Sequence, residues 1–536
     1  MAVTDEFHVY DTTLRDGAQR EGISYSVEDK LKVARILDGY GVGFIEGGWP
    51  GALPKDTEFF ARARNELNLK NAELVAFGAT RKAGVPVAED PQVQALLDSG
   101  APVITLVAKS DVRHVTEALK TTLDENEGMV RDTVAHLVAQ GRRVFVDMEH
   151  FFDGYKHDPD YGVRLVRAAS EAGADVAVLC DTNGGMLPSG IAAIVADVKE
   201  RTGARLGIHC QDDTACAVAN TVAAVEAGAT HVQCTANGYG ERTGNADLFS
   251  VVPNLVLKMN IDCLPDGALA ETTRVSHALA EIANIAPNTH QAYAGVSAFA
   301  HKAGLHASAL KVDPTLYNHI DPAVVGNGQR VLVTEMAGRA SVELKGKELG
   351  YDLSGDSARL GRIVEQVKDL EARGWTFEAA DASFELLVLR DEGLPERFVV
   401  ESWRTIVEQD AQGEVRTEAT VKVLANGERI ISTAEGNGPV NALDRALRSA
   451  VIQLYPDLEK LELTDYKVRI LDGSAGQKAG TGAVTRVLVG TSNGDDDWST
   501  VGVHENVIAA SWRALEDALT YGLVRAARDG DDPSGN

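Results

Sequence analysis

Arg15 and Asp16 stand side by side in the run Asp11-Thr12-Thr13-Leu14-Arg15-Asp16-Gly17-Ala18-Gln19, directly after a short apolar segment that reads as a strand. An adjacent guanidinium and carboxylate can divide one reaction between them. The cation steadies an oxyanion as it forms, and the carboxylate holds a metal ion. Taken alone, such a pair is more often a salt bridge in a turn. Further along, His209 and Gln211 lie two apart on an extended segment, which turns both side chains to one face and Cys210 to the other. With Asp16 they could bind one divalent cation, and Asn245, in Gly240-Glu241-Arg242-Thr243-Gly244-Asn245, could add an amide oxygen.

The elements that must position these residues repeat along the first half of the chain. Apolar runs at 7–11, 43–46, 74–78, 103–107, 144–148, 176–180, 206–209 and 231–235 read as strands, and a helical pattern follows each. Ser26 with Asp29 resembles a capping box opening the first helix, and Gly41, Gly100, Gly173 and Gly228 each stand where a left-handed glycine would end a helix before an even-numbered strand. Eight strand–helix units in about 250 residues match a (β/α)8 barrel in number and size. An open doubly wound sheet would suit six units better, and GVGFIEGG at 41–48 has the wrong spacing for a dinucleotide turn. In a barrel the chemistry belongs at the C-terminal ends of the strands. Arg15, Asp16, Glu46, Lys109, Asp147, Glu149, Asp181, Thr182, His209, Gln211 and the segment 237–245 all fall there, a polar ring around one mouth that points to a metal-assisted active site.

A chain of 536 residues needs two or three domains, and 44% hydrophobic with 24% charged residues is the composition of an ordinary globular protein. The net charge of -27 argues against nucleic acid as a partner. No apolar run is long enough for a bilayer and the N-terminus lacks a signal-peptide layout, so no membrane role is expected. Five cysteines without CxxC spacing read as reduced thiols in a cytoplasmic protein.

The later part of the chain is built differently. A mainly helical connector includes an amphipathic helix at 358–370 that stops at Gly374, and His301-Lys302-Ala303-Gly304-Leu305-His306 reads by itself as a helix start carrying two histidines. Beyond it, a strand at 420–424, an Asn426-Gly427 hairpin turn, a strand at 430–434 and a helix from Pro439 are repeated as 485–490, Asn493-Gly494, 498–503 and 507–519. Ala442-x-x-Arg445-Ala446-Leu447 and Ala510-x-x-Arg513-Ala514-Leu515 occupy matching places in the two halves. A duplicated unit with no concentrated acid–base pair reads as a sensor or dimerisation module, with the glycine-rich loop 473–482 as a candidate ligand gate. The expected division is a catalytic barrel at 1–265, a connector at 266–380, a regulatory and dimerisation domain at 381–528 and a disordered tail at 529–536.

Taken together, DTTLRDGAQ at 11–19, DTNGG at 181–185, HCQDDTACAVAN at 209–220, NGYGERTGNADL at 237–248 and FAHKAGLHASAL at 299–310 resemble the 2-isopropylmalate, homocitrate and citramalate synthase family, metal-dependent Claisen condensing enzymes, almost end to end. VFVDMEHFFDGYKHDPDY at 144–161 and YNHIDPAVVGN at 317–327 are most similar to the citramalate branch. The resemblance implies condensation of acetyl-CoA with pyruvate and hydrolysis of the thioester to (R)-citramalate and CoA. It further implies a place in isoleucine biosynthesis, feedback by an amino acid such as isoleucine, and an obligate homodimer.

Carried over residue by residue, Asp16 and His209 match metal ligands. Arg15 matches the arginine that binds the oxo acid and stabilises its carbonyl oxygen, and Thr182 matches the threonine that binds its carboxylate. Glu149, His306 and Tyr317 match residues of proton transfer and water activation, the last two reaching the partner subunit's active site in related enzymes.

The family usually carries His-x-His where Gln211 stands here. An amide oxygen should loosen zinc and favour magnesium or manganese, and Asp212, on the opposite face, is a poor substitute. Ser308 stands where isopropylmalate synthases tend to carry Asp. Open alternatives are a 2-isopropylmalate or homocitrate synthase with a larger pocket, a lyase running the cleavage direction, and a non-catalytic amino-acid sensor whose metal site has decayed at Gln211.

Overall fold

Eight strands follow one another in the first part of the chain: β1 (His8–Asp11), β2 (Phe44–Gly48), β3 (Glu73–Ala79), β4 (Val103–Lys109), β5 (Arg143–Glu149), β6 (Val176–Asp181), β7 (Leu206–Cys210) and β8 (His231–Cys234). In the computed structural model, which describes residues 5–333, 338–471 and 483–531, they pair in parallel and in sequence order. Strand β8 closes on β1 through His8 opposite His231 and Asp11 opposite Cys234, so the sheet is a barrel with no free edge.

Helices α1 (Val27–Tyr40), α2 (Pro54–Glu66), α3 (Pro91–Asp98), α4 (Leu123–Ala139), α5 (Phe151–His157), α6 (Pro159–Glu171), α7 (Pro188–Thr202), α8 (Ala217–Glu226) and α9 (Leu248–Met259) alternate with the strands. The expected capping box opens α1, with the Asp29 N–H donating to Ser26 Oγ and the Ser26 N–H to Asp29 Oδ2. Gly41, Gly100, Gly173 and Gly228 all have positive φ, as expected for glycines that end helices.

The period of two along each strand sorts the residues. On β7, Leu206, Ile208 and Cys210 join the apolar layer that packs against the helices, which leaves Gly207 and His209 for the interior. Toward the N-terminal end the interior is filled by Tyr10, Phe44, Phe145, Val176 and Val178, with His8 and His231 sharing a contact between their Nδ1 atoms at 3.2 Å. The inward positions nearer the C-terminal ends are polar: Thr12, Glu46, Asp147, His209 and Gln233. One sheet therefore carries a dry plug at one end and a reactive mouth at the other.

The chain divides into two compact units, Met1–Phe299 with Ile320–Gln329 and Ala300–His319 with Arg330–Asn536. The first runs on past residue 265. Helix α10 (Thr272–Ile282) buries Val275 and Leu279 in the barrel's outer layer, and Thr273 Oγ1 donates to the carbonyl of Val325 at 2.8 Å, tying 320–329 to it.

The second unit contains β9 (Ala300–His301), α11 (Gly304–Val312), β10 (Arg330–Val331), α12 (Arg339–Glu348), α13 (Ser357–Ala372) and α14 (Asp381–Asp391). Two antiparallel sheets follow: β11 (Phe398–Gln409), β12 (Val415–Ala425) and β13 (Glu428–Gly436), then β14 (Glu462–Ile470), β15 (Thr485–Ser492) and β16 (Asp497–His504). Helices α15 (Pro439–Val451) and α16 (Val507–Asp531) pack on them. The duplication extends to single bonds. The Arg445 guanidinium donates to the carbonyl of Glu435 and that of Arg513 to the carbonyl of Val503, each ten residues upstream.

Each repeat has three strands where the sequence reading finds two. Strands β11 and β14 are mostly solvent-exposed in the single chain, so they lack the buried pattern that marks a strand. Helix α16 reaches Asp531, beyond the residue 529 at which a tail was expected to begin, and 532–536 lie outside the described residues. Of the proposed gate at 473–482, all ten residues also lie outside them.

Candidate active site

The polar mouth of the barrel opens into a cavity of about 610 Å³, lined among others by Arg15, Asp16, Trp49, Phe77, Lys109, Glu149, Thr182, Gln211 and Arg242. Arg15 is fixed on three sides. Its Nε donates to Glu46 Oε2 at 2.6 Å, one terminal nitrogen donates to Asp16 Oδ2 at 3.2 Å, and the guanidinium carbon lies 3.8 Å over the Phe77 ring. Glu46 is completely buried and also accepts from the hydroxyls of Tyr10 and Thr12. Burial alone would lower the Arg15 pKa, but the charges of Glu46 and Asp16 hold it above its ordinary value. Its cation is therefore held at the cavity wall, and a substrate oxygen placed there meets a preorganised donor.

Asp16 is the centre of a second group. His209 Nε2 lies 3.4 Å from Asp16 Oδ2 and 3.4 Å from the Gln211 amide nitrogen, and Asn245 Nδ2 lies 3.4 Å from Asp16 Oδ1. Burial would raise the Asp16 pKa, yet the Arg15 charge, with the neighbouring His209, Asn245 and Gln211 side chains, brings it below the usual carboxylate value. The loop that delivers Asn245 turns at Gly240 (φ +151), where a Cβ would collide with the Asn245 amide, so only glycine admits that side chain.

The amide oxygens of Gln211 and Asn245 are buried and make no hydrogen bond. A buried acceptor left alone is costly, and the amides that carry these two lie, by their nitrogens, against the His209 imidazole and the Asp16 carboxylate, so the four side chains together offer a donor set for a cation. Among the described residues no three His, Cys, Asp or Glu side chains group together as metal ligands. A cation here must draw on the amide oxygens, which hard divalent ions prefer and zinc does not. The four residues present fit such an ion.

Thr182, just past β6, accepts a hydrogen bond from the His150 N–H at 2.8 Å, which leaves its own hydroxyl proton to donate. His150 holds the left-handed conformation (φ +57) that makes this contact. Glu149, the last residue of β5, forms an ion pair with Lys109, the last residue of β4. His306 and Tyr317 belong to the second unit, where their rings stack with centroids 4.0 Å apart. Arg15, Asp16, Glu149, Thr182, His209, Gln211 and Asn245 are thus gathered at one mouth, and His306 and Tyr317 form a separate pair.

Three family models divide the sequence in the same order. An HMGL-like model matches residues 6–284, a homocitrate synthase post-HMGL domain-like model 294–374, and the LeuA allosteric (dimerisation) domain 378–523. The chain is 68% identical over 524 residues to an (R)-citramalate synthase of Streptomyces coelicolor, covering 97% of each chain. It is 46% identical over 531 residues to an (R)-citramalate synthase of Aquifex aeolicus, covering 98% of this chain and all of that one. A 2-isopropylmalate synthase of Methanocaldococcus jannaschii is 30% identical over 98% of this chain and 96% of its own length.

The chain belongs to the (R)-citramalate synthase family.

Several residues that complete the mouth of this family member escape sequence reading. Trp49 follows the paired glycines of β2, stacks edge-on against Phe77 with centroids 5.2 Å apart, and has its indole nitrogen buried without a partner. Arg242 lies over the cavity on a bidentate pair with Asp213 and donates to the carbonyl of Thr182. Glu46 stands out as a strand-end carboxylate, but its grip on Arg15 becomes visible only when β1 and β2 are laid side by side. Asp212, set aside as a ligand, accepts from the Ala217 N–H at the start of α8. All five cysteines are free, and no helix among the described residues is long and apolar enough to cross a membrane.

Proposed function

We propose that this protein joins acetyl-CoA to pyruvate and hydrolyses the resulting thioester, releasing (R)-citramalate and CoA. The observation that carries the reading is the fixed Arg15 cation beside the buried Asp16 carboxylate, around which the His209 imidazole and the Gln211 and Asn245 amides, their oxygens unpartnered, are grouped at the barrel mouth. The similarity to citramalate synthases across nearly the whole chain supports the choice of pyruvate. Asp16, His209, Gln211 and Asn245 would hold magnesium or manganese, which when bound supplies positive charge to the ketone oxygen of the oxo acid. Arg15 donates to that same oxygen as it gains charge, and the Thr182 hydroxyl donates to the carboxylate.

His306, assisted by Glu149, takes a proton from the acetyl methyl group, and the resulting enolate carbon bonds to the ketone carbon. Tyr317 and Glu149 then serve the water that adds to the thioester carbonyl. The carbon–sulfur bond breaks, and the sulfur leaves as CoA thiol. His306 and Tyr317 enter from the second unit of a partner subunit in a homodimer, in keeping with the dimerisation-domain match. The same domain would carry feedback by an amino acid, isoleucine, in a cytoplasmic enzyme of isoleucine biosynthesis.

The test is CoA release from acetyl-CoA with pyruvate, 2-oxobutyrate, 2-oxoisovalerate and 2-oxoglutarate, each with magnesium, manganese, zinc or chelator. Release that needs the metal and is fastest with pyruvate supports the proposal. Preference for 2-oxoisovalerate or 2-oxoglutarate moves the assignment to isopropylmalate or homocitrate formation. No release with any pair refutes a synthase.

A further inference from the structure

His209 is held from behind. Its Nδ1 lies 2.8 Å from Gln233 Oε1 on the neighbouring strand β8, and Gln233 Nε2 donates to Asp147 Oδ1 on β5 at 2.8 Å. All three side chains are buried, with Gln233 at 1%, Asp147 at 4% and His209 at 5% exposure. They come from three different strands, at inward positions, and end beside Asp16. Neither Gln233 nor Asp147 reaches the group formed by Asp16, Gln211 and Asn245 by any hydrogen bond among the described residues.

From this chain we infer that Asp147 and Gln233 are positioning residues that lock the tautomer and orientation of His209. The inference rests on the reading of His209 as a metal ligand. An amide has a donor end and an acceptor end, so it transmits direction. Asp147 Oδ1 accepts at one end, as a carboxyl oxygen can whether or not the other oxygen carries a proton, and fixes the Gln233 NH2 group toward itself, which aims Oε1 at His209. That oxygen can only accept, so His209 must carry its proton on Nδ1. The lone pair is then left on Nε2, the atom that faces Asp16 and Gln211.

With Gln233 free to turn over, its NH2 group would meet Nδ1 and move the proton to Nε2. The nitrogen facing the site would then be a donor and useless as a ligand. Groups of this kind, which orient ligands from outside, are commonly worth about 10–100-fold in metal affinity.

The experiment combines two readouts on the full chain. In metal-free protein, 15N chemical shifts of the His209 ring report the tautomer. Manganese affinity is measured by calorimetry without substrate. Wild type should show Nδ1–H. Gln233→Leu removes both ends of the relay and should lose the fixed tautomer, with manganese affinity falling about 10–100-fold. Gln233→Glu keeps an acceptor toward His209 and should retain both the tautomer and most of the affinity.

Asp147→Ala leaves Gln233 in place but unpinned, and should mix the tautomers and weaken binding. Because Leu and Glu are similar in size to Gln, mere packing would not separate the two Gln233 variants, and circular dichroism identifies one that fails to fold. Wild-type Nε2–H overturns the inference, as does unchanged manganese affinity in both Gln233→Leu and Asp147→Ala. His209→Ala is the control for the underlying reading. If it binds manganese as well as wild type, the ligand assignment falls and the inference with it.

Discussion

Replacing Glu46 with glutamine changes one atom and removes the charge that holds Arg15. The Glu46 side chain is fully buried and that of Arg15 is 15% exposed, so solvent does little to screen the pair. Three donors converge on the carboxylate: Arg15 Nε, the Tyr10 hydroxyl and the Thr12 hydroxyl. An amide offers one oxygen and an NH2 group, so at least one of these donors would lose the carboxylate oxygen it now bonds, and Arg15 would lose its counter-charge. Removing one partner of a buried pair typically costs about 3–5 kcal/mol.

Glu46→Gln should therefore lower the unfolding free energy of the barrel by about 3 kcal/mol or more, read from urea unfolding of the full chain. With its anchor gone, Arg15 would swing off the Phe77 ring, and kcat/KM should fall by about 10²-fold, the scale of one lost oxyanion donor. A third readout follows from Asp147, whose carboxyl is pushed up to about 8 by burial first and the Glu46 charge second. In the variant it should titrate lower, as followed by carboxyl 13C NMR. If unfolding shifts by less than about 0.5 kcal/mol and turnover is unaltered, Glu46 does not hold Arg15 and the account of the site is wrong at its centre.

Gln211→His should raise zinc affinity relative to magnesium, since it exchanges an amide oxygen for an imidazole. Competition calorimetry reads this directly, and unchanged selectivity would count against Gln211 as a ligand. Asp147→Asn should alter the pH dependence of stability in the metal-free protein. The folded Asp147 keeps its proton up to about pH 8 while an unfolded aspartate loses it near pH ~4, so between those values the folded state holds the extra proton and stability falls as pH rises. The variant should flatten that fall, measured as urea midpoints from about pH 5 to 8. Mixing inactive Arg15→Gln and His306→Asn chains, after dissociation and reassociation, should restore about a quarter of wild-type activity if each site combines one subunit's barrel with the other's His306, because half the dimers are mixed and half of their sites intact. Recovery of none would place both residues in the same subunit's site.

The barrel was legible because the strands are short and apolar, the four even-numbered ones follow helix-ending glycines, and polar residues cluster at the C-terminal end of all but the third. Once the barrel is inferred, the positions of Arg15 just after the first strand and of Glu149 and His209 at the ends of the fifth and seventh bring them to one mouth. What remained hidden depends on strand register. Gln233 is one polar residue inside His231-Val232-Gln233-Cys234, and nothing in that segment says that β8 sets it opposite His209. Strand β14 was hidden for another reason. Tyr466, Val468 and Ile470 alternate with charged residues, but each is more than a third exposed in the single chain. A strand that buries neither face within its own chain lacks the contrast by which sequence patterns are read.

The interior of the barrel also shows what the site demands of the fold. Burial pushes Asp147 up to about 8 and Asp11 up to about 7, so each is kept at a cost near neutral pH. A barrel selected for stability alone would fill these positions with valine or leucine, as it does lower down at Val176 and Val178. The acids remain where an apolar residue would break a chain of bonds. Asp11 accepts from the backbone and hydroxyl of Thr13, whose hydroxyl in turn accepts from the Ala236 N–H, and this joins the turn bearing Arg15 to the loop bearing Asn245. Asp147 ends the relay to His209. The two buried acids thus tie together the pieces on which a cation and an oxo acid would have to meet, and the penalty for burying them is the reason to expect that their loss would disturb geometry more than stability.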